Sequence, residues 1–460
     1  MVEANDMGFD EAKASMLHED IEFVLRTVEE RDVHFIQFWF TDTLGNLKSF
    51  AATSGELDDA LEEGLGFDGS SVAGFSPVEE SDCVAVPDPS TFQILPWRPQ
   101  EKGAARMFCD IKTPSGEPFE GDTRAVLRRV CDEAYDRGMI CSLSPAIEHF
   151  YFKDSKGVEP LDCGGYFDNM PLDSGNDLRR ESVLMLERMG IPVEYSHHEN
   201  APSQHEIHLR YADACSMADA VMTHRLVVKQ VAQSHGCYAS FMPKPCAAYD
   251  GSGMHLHIAL HNFDGVNLFH DPHDPDGYQL SQTAKYFLAG LLRYAPEYTL
   301  LTNQYVNSYK RFVSGFDAPL YVTWAPANRS ALVRVPHYKA GKVLSSRLDL
   351  RSPDPACNPY LAFAGVFAAG LRGLEEMLPL PAALPQNVAK MSEAELSEMG
   401  IKRLPSTLGE AIENFESSEL MRKVLGEHVF DYIVAQKKAE WAEYCSHVGA
   451  WELGRYLPML

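Results

Sequence analysis

The chain has little positive charge for its length and few features of a membrane or secreted protein. Its 460 residues hold 40 Lys and Arg against 66 Asp and Glu, a formal net charge of −26. A nucleic acid or an anionic membrane surface is therefore not expected as its main partner. No apolar run approaches the ~20 residues of a membrane span. Met1–Asp10 lacks the apolar core of a secretory signal, so we expect a cytoplasmic protein.

Cysteine is also sparse. The ten cysteines are scattered singly and form no C-x-x-C pair, which indicates reduced thiols rather than a disulfide framework. The phosphate-binding sequence G-x-x-x-x-G-K-[ST] is absent as well, so any nucleotide must be held by a different scaffold. Hydrophobic residues make up 45% of the chain, enough for a large core, and the length favours two domains.

Residues 194–208 carry three carboxylates and four imidazoles in fifteen positions. Within them, Ala201–Ser203 predicts a break between two extended segments. After the break, Glu206 and His208 alternate with apolar residues, which is the period of a strand. Carboxylates with an occasional imidazole suit hard divalent cations such as Mg²⁺ or Mn²⁺. The alternative is a solvated surface strand with scattered histidines.

Three further predicted strands carry polar groups on one face and apolar residues on the other. They contain Glu148, the pair His255 and His257, and Asp349 between Arg347 and Arg351. A single strand of this kind is a solvated edge by default. Four of them suggest a sheet that lines a polar funnel, with helices behind it.

Residues 310–351 form a basic island, with eight basic residues and two acidic ones. A basic island beside a carboxylate cluster fits phosphate groups that are bridged by divalent ions and steadied by arginine. The alternative is a charged surface hairpin.

The pattern predicts two domains. Residues 12–115 are expected to form a small α+β domain, with a helix near 11–31, a hairpin turning at 43–46 and a glycine-rich loop at 66–75. Residues 116–460 are expected to form a larger domain of short strands and helices. Its helical patterns fall near 123–138, 175–189, 212–235, 280–298, 359–377 and 407–446.

Seven motifs, in order along the chain, resemble those of type I glutamine synthetases of bacteria and archaea. They are Gly66–Ser71, His198–Glu206, Phe241–Pro245, Gly251–His255, Asn307–Arg311, Asn328–Ala331 and Pro353–Leu361. The resemblance implies an α+β fold: a small N-terminal β-grasp domain and a large C-terminal catalytic domain with an antiparallel, polar-lined sheet backed by helices. It also implies a dodecamer of two stacked rings, with active sites shared between neighbouring subunits.

The implied reaction has two steps. ATP phosphorylates the side-chain carboxylate of glutamate, because a free carboxylate has no viable leaving group, and ammonia then displaces phosphate. Two divalent ions, Mg²⁺ or Mn²⁺, stabilise the charge on the phosphoryl oxygens. The resemblance assigns Glu148, Glu199 and Glu206 to the first ion and His255 and Asp349 to the second.

The resemblance also assigns the substrate contacts. Glutamate is expected at Asp250, Gly251, Arg311 and Arg351, phosphate at Arg329, Arg334 and Arg347, the nucleotide at Glu194, Tyr211 and His257, and ammonium at Asp68, Ser71 and Tyr166. Asp68 would serve the adjacent subunit, and Asp317 would help to deprotonate ammonium.

Four positions depart from the family pattern, and all four belong to the implied active site. Ala146 stands where a second-site metal ligand is usual, Asp349 and Asp317 stand for glutamate, and Asp250 stands for asparagine. The tyrosine that some members carry as an adenylylation site is missing from 387–391.

These departures leave three hypotheses. The first is a glutamate–ammonia ligase with a weakened second metal site. The second is a ligase that joins glutamate, or an analogue, to another amine. The third is a weakly active or non-catalytic assembly.

Overall fold

A computed structural model describes residues 9–76, 81–99, 101–313, 318–336, 345–386, 388 and 391–460. Its strands form two sheets, one of six strands near the N-terminus and one of nine strands in the rest of the chain. Within the described part, no helix is both long enough and apolar enough to cross a membrane.

The N-terminal sheet has the strand order β2-β1-β6-β4-β3, with β5 paired to β6. Its elements are α1 (Phe9–Glu30), β1 (Val33–Thr41), β2 (Leu47–Thr53), α2 (Leu57–Glu63), β3 (Leu65–Asp68), β4 (Asp82–Pro87), β5 (Gln93–Ile94) and β6 (Gly103–Lys112). β1 forms a hairpin with β2 and runs parallel to β6. The predicted first helix and hairpin are both present.

The two faces of β1 serve different cores, because successive side chains of a strand point to opposite sides. Ile36 and Phe38 pack with Val24 of α1 in the core of the small domain. Trp39 points the other way and joins Phe108 in the core of the larger domain. The small sheet is therefore sandwiched between its own helix and the rest of the protein.

The large sheet has the order β13-β14-β15-β12-β7-β9-β8, with β10 and β11 also paired to β7. Its strands are β7 (Ile140–Phe152), β8 (Val193–His198), β9 (Gln204–Leu209), β10 (Ala212–Asp213), β11 (Tyr238–Ser240), β12 (Met254–His261), β13 (Trp324–Pro326), β14 (Val333–Val335) and β15 (Leu348–Leu350). The pairs are antiparallel as predicted, except for β13 with β14, which is parallel.

Helices supply the apolar backing of the large sheet. They are α3 (Thr123–Tyr135), α4 (Asn176–Arg188), α5 (Ala214–Ser234), α6 (Gln282–Thr302), α7 (Val306–Tyr309), α8 (Pro359–Glu375), α9 (Glu393–Glu398), α10 (Leu408–Glu416), α11 (Glu419–Leu425), α12 (Glu427–Ser446) and α13 (Ala450–Tyr456). The predicted helical region 407–446 is divided into three helices. Ser418 caps the start of α11, and Gly426, at φ 77°, ends it.

Two glycines let α6 and α8 touch backbone to backbone. A Cβ at Gly290 would lie 2.2 Å from the carbonyl oxygen of Ala369, and one at Gly373 would lie 2.3 Å from that of Tyr286. No side chain fits at these distances, so the close approach depends on glycine at both positions. α8 is buried along nearly its whole length.

The β1–β2 hairpin docks on the larger domain. Its turn contains Gly45 at φ 88°, and a Cβ there would lie 3.0 Å from Asn358. The side-chain amide of Asn358 donates to the carbonyl of Asp42 at 3.2 Å, and that of Gln304 donates to Leu44 at 2.8 Å. These contacts fix the small domain against the start of α8.

A buried ion network also joins the two domains. The Arg124 guanidinium, only 6% exposed, lies 2.6 Å from Asp110 and 2.7 Å from Asp88 of the N-terminal domain and 3.0 Å from Asp219 of α5. Asp219 also accepts a hydrogen bond from Tyr360 of α8 at 2.6 Å. Because it contacts three carboxylates, the Arg124 cation offsets charges that would otherwise repel one another in a buried place.

We expect Arg124→Met to destabilise the protein by about 3–5 kcal/mol, because it removes the guanidinium that pairs with the buried Asp219 carboxylate. Chemical unfolding followed by circular dichroism measures the change. The matched control is Arg128→Met, which removes a 40% exposed guanidinium that contacts Asp110 and Asp88 and should cost less than about 1 kcal/mol. Equal losses in the two variants would contradict this account of the interface.

The stability of the protein should also depend on pH through the buried Asp122 carboxyl group at this interface. Burial, followed by repulsion from Asp110, raises the pKa of Asp122 to about 6. Since the unfolded value is near ~3.9, protonation between about pH 6 and pH 4 favours the folded state and adds about 2 kcal/mol of stability as the pH falls. Asp122→Asn should lack this gain. Unfolding midpoints of both proteins from pH 4 to 8 measure the difference, and parallel curves would refute it.

Candidate active site

The register of the large sheet gathers polar side chains into rows on one face. Residues directly opposite each other on neighbouring strands share a face, and so do residues i and i+2 of one strand. One row runs His197, Glu206, Glu148; the next runs Tyr195, His208, Ala146, His255; the third runs Ser144, His257, Asp349, Arg334. The predicted polar funnel is thus a buried sheet face, not a solvated edge, since every residue of β9 is buried.

Glu148, Glu206 and His255 form the first metal-capable group. Each offers one ligand atom, and these atoms lie within 4.8 Å of one another. Glu148 also accepts hydrogen bonds from the backbone N–H of Gly253 at 2.8 Å and the side-chain amide of Gln204 at 3.0 Å. These two contacts fix the orientation of its carboxylate.

Glu199 is a third carboxylate close to Glu148 and Glu206 of this group. Burial, followed by repulsion from Glu206, raises the pKa of Glu199 to about 8. Burial and then Glu199 and Glu206 also raise the pKa of Glu148 well above its ordinary value. Such crowding disfavours three negative charges unless a cation is shared among them, so the donor set fits a divalent metal ion.

A second metal-capable group shares Glu206 with the first. Its other members are His197 and His208, whose Nε2 atoms lie 2.8 Å and 3.1 Å from Oε2 of Glu206. Burial would raise the pKa of Glu206, but the neighbouring His208 and His197 hold it well below its ordinary value. Glu206 is therefore the carboxylate on which both groups depend.

The two residues expected at the second metal site lie in adjacent rows. His255 joins Glu148 and Glu206, with its Nε2 3.8 Å from Glu148. Asp349 lies 3.8 Å from Nε2 of His257 and 3.4 Å and 3.5 Å from the guanidinium groups of Arg334 and Arg351. Asp349 thus also neutralises arginine charge. Burial, followed by Arg347, lowers the pKa of His257 well below its ordinary value.

The Arg311 side chain is buried beside the group of Glu148, Glu206 and His255. It is 1% exposed and donates to the carbonyls of Ser352 at 2.7 Å and Arg351 at 3.2 Å. A Cβ at Gly253 would lie 2.5 Å from its Nη2 and 3.0 Å from Nε2 of His255. Glycine at this position leaves the space that the ends of the Arg311 and His255 side chains occupy.

Gly251 and Asp250, two of the residues expected to bind substrate, each have a polar partner among neighbouring side chains. The carbonyl of Gly251 accepts from Gln204 at 3.1 Å, so the same amide orients both Gly251 and Glu148. Asp250 lies near Lys244: burial lowers the pKa of Lys244, and the Asp250 carboxylate acts against that shift. The negative charge that Asp250 adds is therefore met by a lysine.

The other predicted residues lie at different distances from this centre. Tyr166, 41% exposed, contacts the His197 ring edge-on at 5.4 Å between centroids. Glu194 is exposed at β8, Tyr211 is half-buried beside the main core, and Arg329 is exposed after β13. Asp317 lies outside the described residues, as does most of the segment 387–391.

Asp68 and Ser71 belong to the N-terminal domain and are exposed there. Asp68 accepts hydrogen bonds from the N–H and the hydroxyl of Ser70, at 2.9 Å and 2.7 Å, and these bonds lower its pKa. Its loop is held in shape within its own domain, with the carboxylate facing outward.

Sequence reasoning gave no role to His197, His208 or Gln204, although all three lie in the metal-rich stretch. The supporting residue Asp162 was also missed. It accepts from the backbone N–H of Ser203 at 2.8 Å and contacts Nε2 of His198 at 3.0 Å, which fixes the turn between β8 and β9. The alternation of β9 placed His208 on the polar face beside Glu206, but only the strand register shows that it lies opposite Ala146.

This combination of a small sheet domain and a buried face of carboxylates, imidazoles and arginines defines a metal-dependent enzyme suited to phosphate chemistry. Family models described as glutamine synthetase, beta-grasp domain, and glutamine synthetase, catalytic domain, match residues 32–114 and 120–456. The chain belongs to the glutamine synthetase family.

Individual proteins agree with the family match. The glutamine synthetase of Mycolicibacterium smegmatis is 54% identical over 444 residues, which cover 95% of this chain and 99% of that protein. A solved structure of a GmaS/ADP complex is 31% identical, with a TM-score of 0.85 over 95% of this chain and 99% of that one. The cryo-EM structure of Plasmodium falciparum glutamine synthetase has a TM-score of 0.84 at 23% identity, covers 96% of this chain and 98% of that one, and supports the fold alone.

The expected family, fold class and activity are confirmed: the chain is an ATP-dependent glutamate–ammonia ligase. Of the three hypotheses, the findings favour a glutamate–ammonia ligase, and the weakened second metal site stays a prediction. The family uses ATP and divalent metal ions, binds glutamate and ammonia, and forms oligomers.

Gly253→Ala should lower glutamine formation by about 100-fold, because the new methyl group displaces Arg311 or His255 by several tenths of an ångström or more. Steady-state assays of ATP-dependent glutamine formation measure the loss. Gly157→Ala is the matched control, since a Cβ there meets no atom of the described residues within 4 Å. If both variants retain full activity, the close packing at Gly253 is not required.

Proposed function

We propose that the buried sheet face of this chain makes glutamine from glutamate, ATP and ammonia through a γ-glutamyl phosphate. The observation that supports the proposal is the cluster of Glu148, Glu206 and His255 directly beside the Arg311 guanidinium. Anionic donors for metal and a buried cation for substrate lie side by side, as a reaction between a carboxylate and a nucleotide phosphate requires.

Each group of residues has a part in this proposal. Glu148, Glu199, Glu206 and His255 would hold Mg²⁺ or Mn²⁺, with Asp349 as a weaker partner of His255. When bound, the ions would neutralise charge that develops on the transferred phosphoryl group.

Arg311, Arg351 and Gly251 would bind glutamate, with Asp250 beside them. The nucleotide would contact Glu194, Tyr211 and His257, and its phosphates would contact Arg329, Arg334 and Arg347. The similar GmaS structure is a complex with ADP, which supports nucleotide binding by this fold.

The departures from the family pattern should lower the affinity for the second metal ion and not for the first. Ala146 offers no donor atom, and Asp349 already contacts two arginines. Glu148 and Glu206 keep their full carboxylates and their hydrogen-bonded supports. We therefore expect one tightly held and one weakly held Mg²⁺ or Mn²⁺ per subunit.

Ammonia binding would be completed by a neighbouring subunit. Asp68 and Ser71 are exposed on the N-terminal domain, while Tyr166 lies at the mouth of the site next to His197. A ring of subunits would bring these positions together, and Asp317 would help to deprotonate ammonium. Light scattering tests whether the assembly is a dodecamer. The proposed domain limits of 12–115 and 116–460, and a cytoplasmic location, belong to this proposal.

The test is ATP-dependent phosphate release with glutamate and ammonia, compared between the parent chain and Glu206→Gln. We expect the variant to lose about 10²–10³ in rate, because Glu206 belongs to both metal-capable groups. Glu181→Gln, a surface change in α4, should retain the parent rate. Phosphate release that requires a different amine, or none with any amine, would overturn the proposal.

A further inference from the structure

The two imidazoles of His197 and His208 have no part in the carboxylate-rich metal site described above. Both are at least 91% buried, since His197 is 9% and His208 5% exposed. Both Nε2 atoms approach the same carboxylate oxygen, Oε2 of Glu206. Two buried rings directed at one oxygen call for an explanation in terms of protons or a metal.

The hydrogen bond of His197 decides which of its nitrogens carries the proton. Its Nδ1 lies 3.0 Å from the backbone carbonyl oxygen of His198. A carbonyl can only accept, so Nδ1 carries the hydrogen. In a neutral ring, Nε2 then presents a lone pair to Glu206 at 2.8 Å. A contact this short between Nε2 and a carboxylate oxygen needs positive charge between the two atoms, either a proton on Nε2 or a metal ion.

His208 adds a second unsatisfied nitrogen. Among the described residues, neither of its ring nitrogens has a hydrogen-bond partner, although Nε2 is 3.1 Å from Glu206, because the contact lacks hydrogen-bond geometry. The ring is held by Tyr195, which stacks on it at 3.9 Å with an interplanar angle of 25°. A single proton on His197 would satisfy one contact of Glu206 but leave both ring nitrogens of His208 without a hydrogen bond.

The spacing matches the edges of a metal coordination shell. With metal–nitrogen and metal–oxygen bonds of about 2.0–2.1 Å, neighbouring ligand atoms are about 3.0 Å apart around an octahedral ion and about 3.4 Å apart around a tetrahedral one. The observed separations of 2.8 Å and 3.1 Å are close to the octahedral edge and shorter than the tetrahedral one. The Nδ1–H donation of His197 to a backbone carbonyl is also the usual support of a metal-bound imidazole.

We propose that His197, His208 and Glu206 form a separate site for a divalent transition metal such as Zn²⁺ or Co²⁺. Two imidazoles and one carboxylate favour such ions over Mg²⁺, which prefers oxygen ligands throughout. Three protein ligands leave at least one position open toward the cleft, where Tyr195 and Tyr166 are 46% and 41% exposed. Glu206 would be a ligand of both this ion and the one beside Glu148, and through this shared residue the inference rests on the proposed function.

The test is metal binding by the full-length chain after treatment with a chelator. Equilibrium dialysis against Zn²⁺ in excess Mg²⁺, followed by elemental analysis, should give one Zn²⁺ per subunit. His208→Gln should weaken Zn²⁺ binding by at least about tenfold, since even outer-shell partners of metal ligands contribute that much. His261→Gln is the matched control: it lies at the far end of β12, with Nδ1 3.0 Å from Ser142, and should bind Zn²⁺ as the parent does.

Two further measurements keep the outcome decisive. In the parent chain, Co²⁺ in excess Mg²⁺ should give the strong visible absorption of a low-symmetry nitrogen-containing site, whereas the faint spectrum of an all-oxygen octahedral site would overturn the inference. His208→Asp should shift the preference from Zn²⁺ toward Mn²⁺. Equal Zn²⁺ binding by the parent and His208→Gln would also overturn it.

The two proposals fail separately. Zn²⁺ binding that depends on His208 in a chain without ligase activity would support the metal site and refute the proposed function. Ligase activity with Mg²⁺ in a chain that binds no Zn²⁺ would do the reverse.

Discussion

The register of β7 between β9 and β12 is the constraint on which the site depends. It places Glu148 opposite Glu206 and places Ala146 between His208 and His255. A slip of one residue in either pairing would turn every one of these side chains to the opposite face. The helices behind the sheet bury its apolar face so thoroughly that such a slip would move charged groups into the core. The chemistry of the polar face is therefore specified by the packing of the apolar face.

Charge neutralisation recurs throughout the structure, in two different forms. At the domain interface the compensation is internal, since Arg124 lies among Asp88, Asp110 and Asp219. On the sheet face, Glu148 and Glu199 are buried beside Glu206, and burial together with this repulsion raises the pKa values of both carboxyl groups. The Arg124 network stabilises the interface between the two domains without a ligand. The carboxylates on the sheet face would be stabilised when a cation and a substrate bind.

Much of this could be predicted from the sequence, and the reasons for the rest are physical. Period-two alternation identified the polar strands of Glu206, His255 and Asp349, because a strand that is buried on one side must alternate. It could not identify which strands pair, so the contact of His197 with Glu206 and the place of His208 opposite Ala146 were missed. The Arg124 network was missed for the same reason, since its partners lie up to 95 residues away. The breaks within 407–446 depend on one glycine and one capping serine, weaker signals than the helical period around them.

The contact of α6 and α8 through Gly290 and Gly373 has a mechanical consequence. Helix backbones in direct contact cannot slide or rotate past each other as layers of side chains can, so α6 and α8 form one rigid unit. One end of this unit carries Asn358, which holds the β1–β2 hairpin, and the segment after α6 leads to Arg311 beside the metal-capable group. The docking of the hairpin and the placement of Arg311 therefore both depend on one rigid pair of helices.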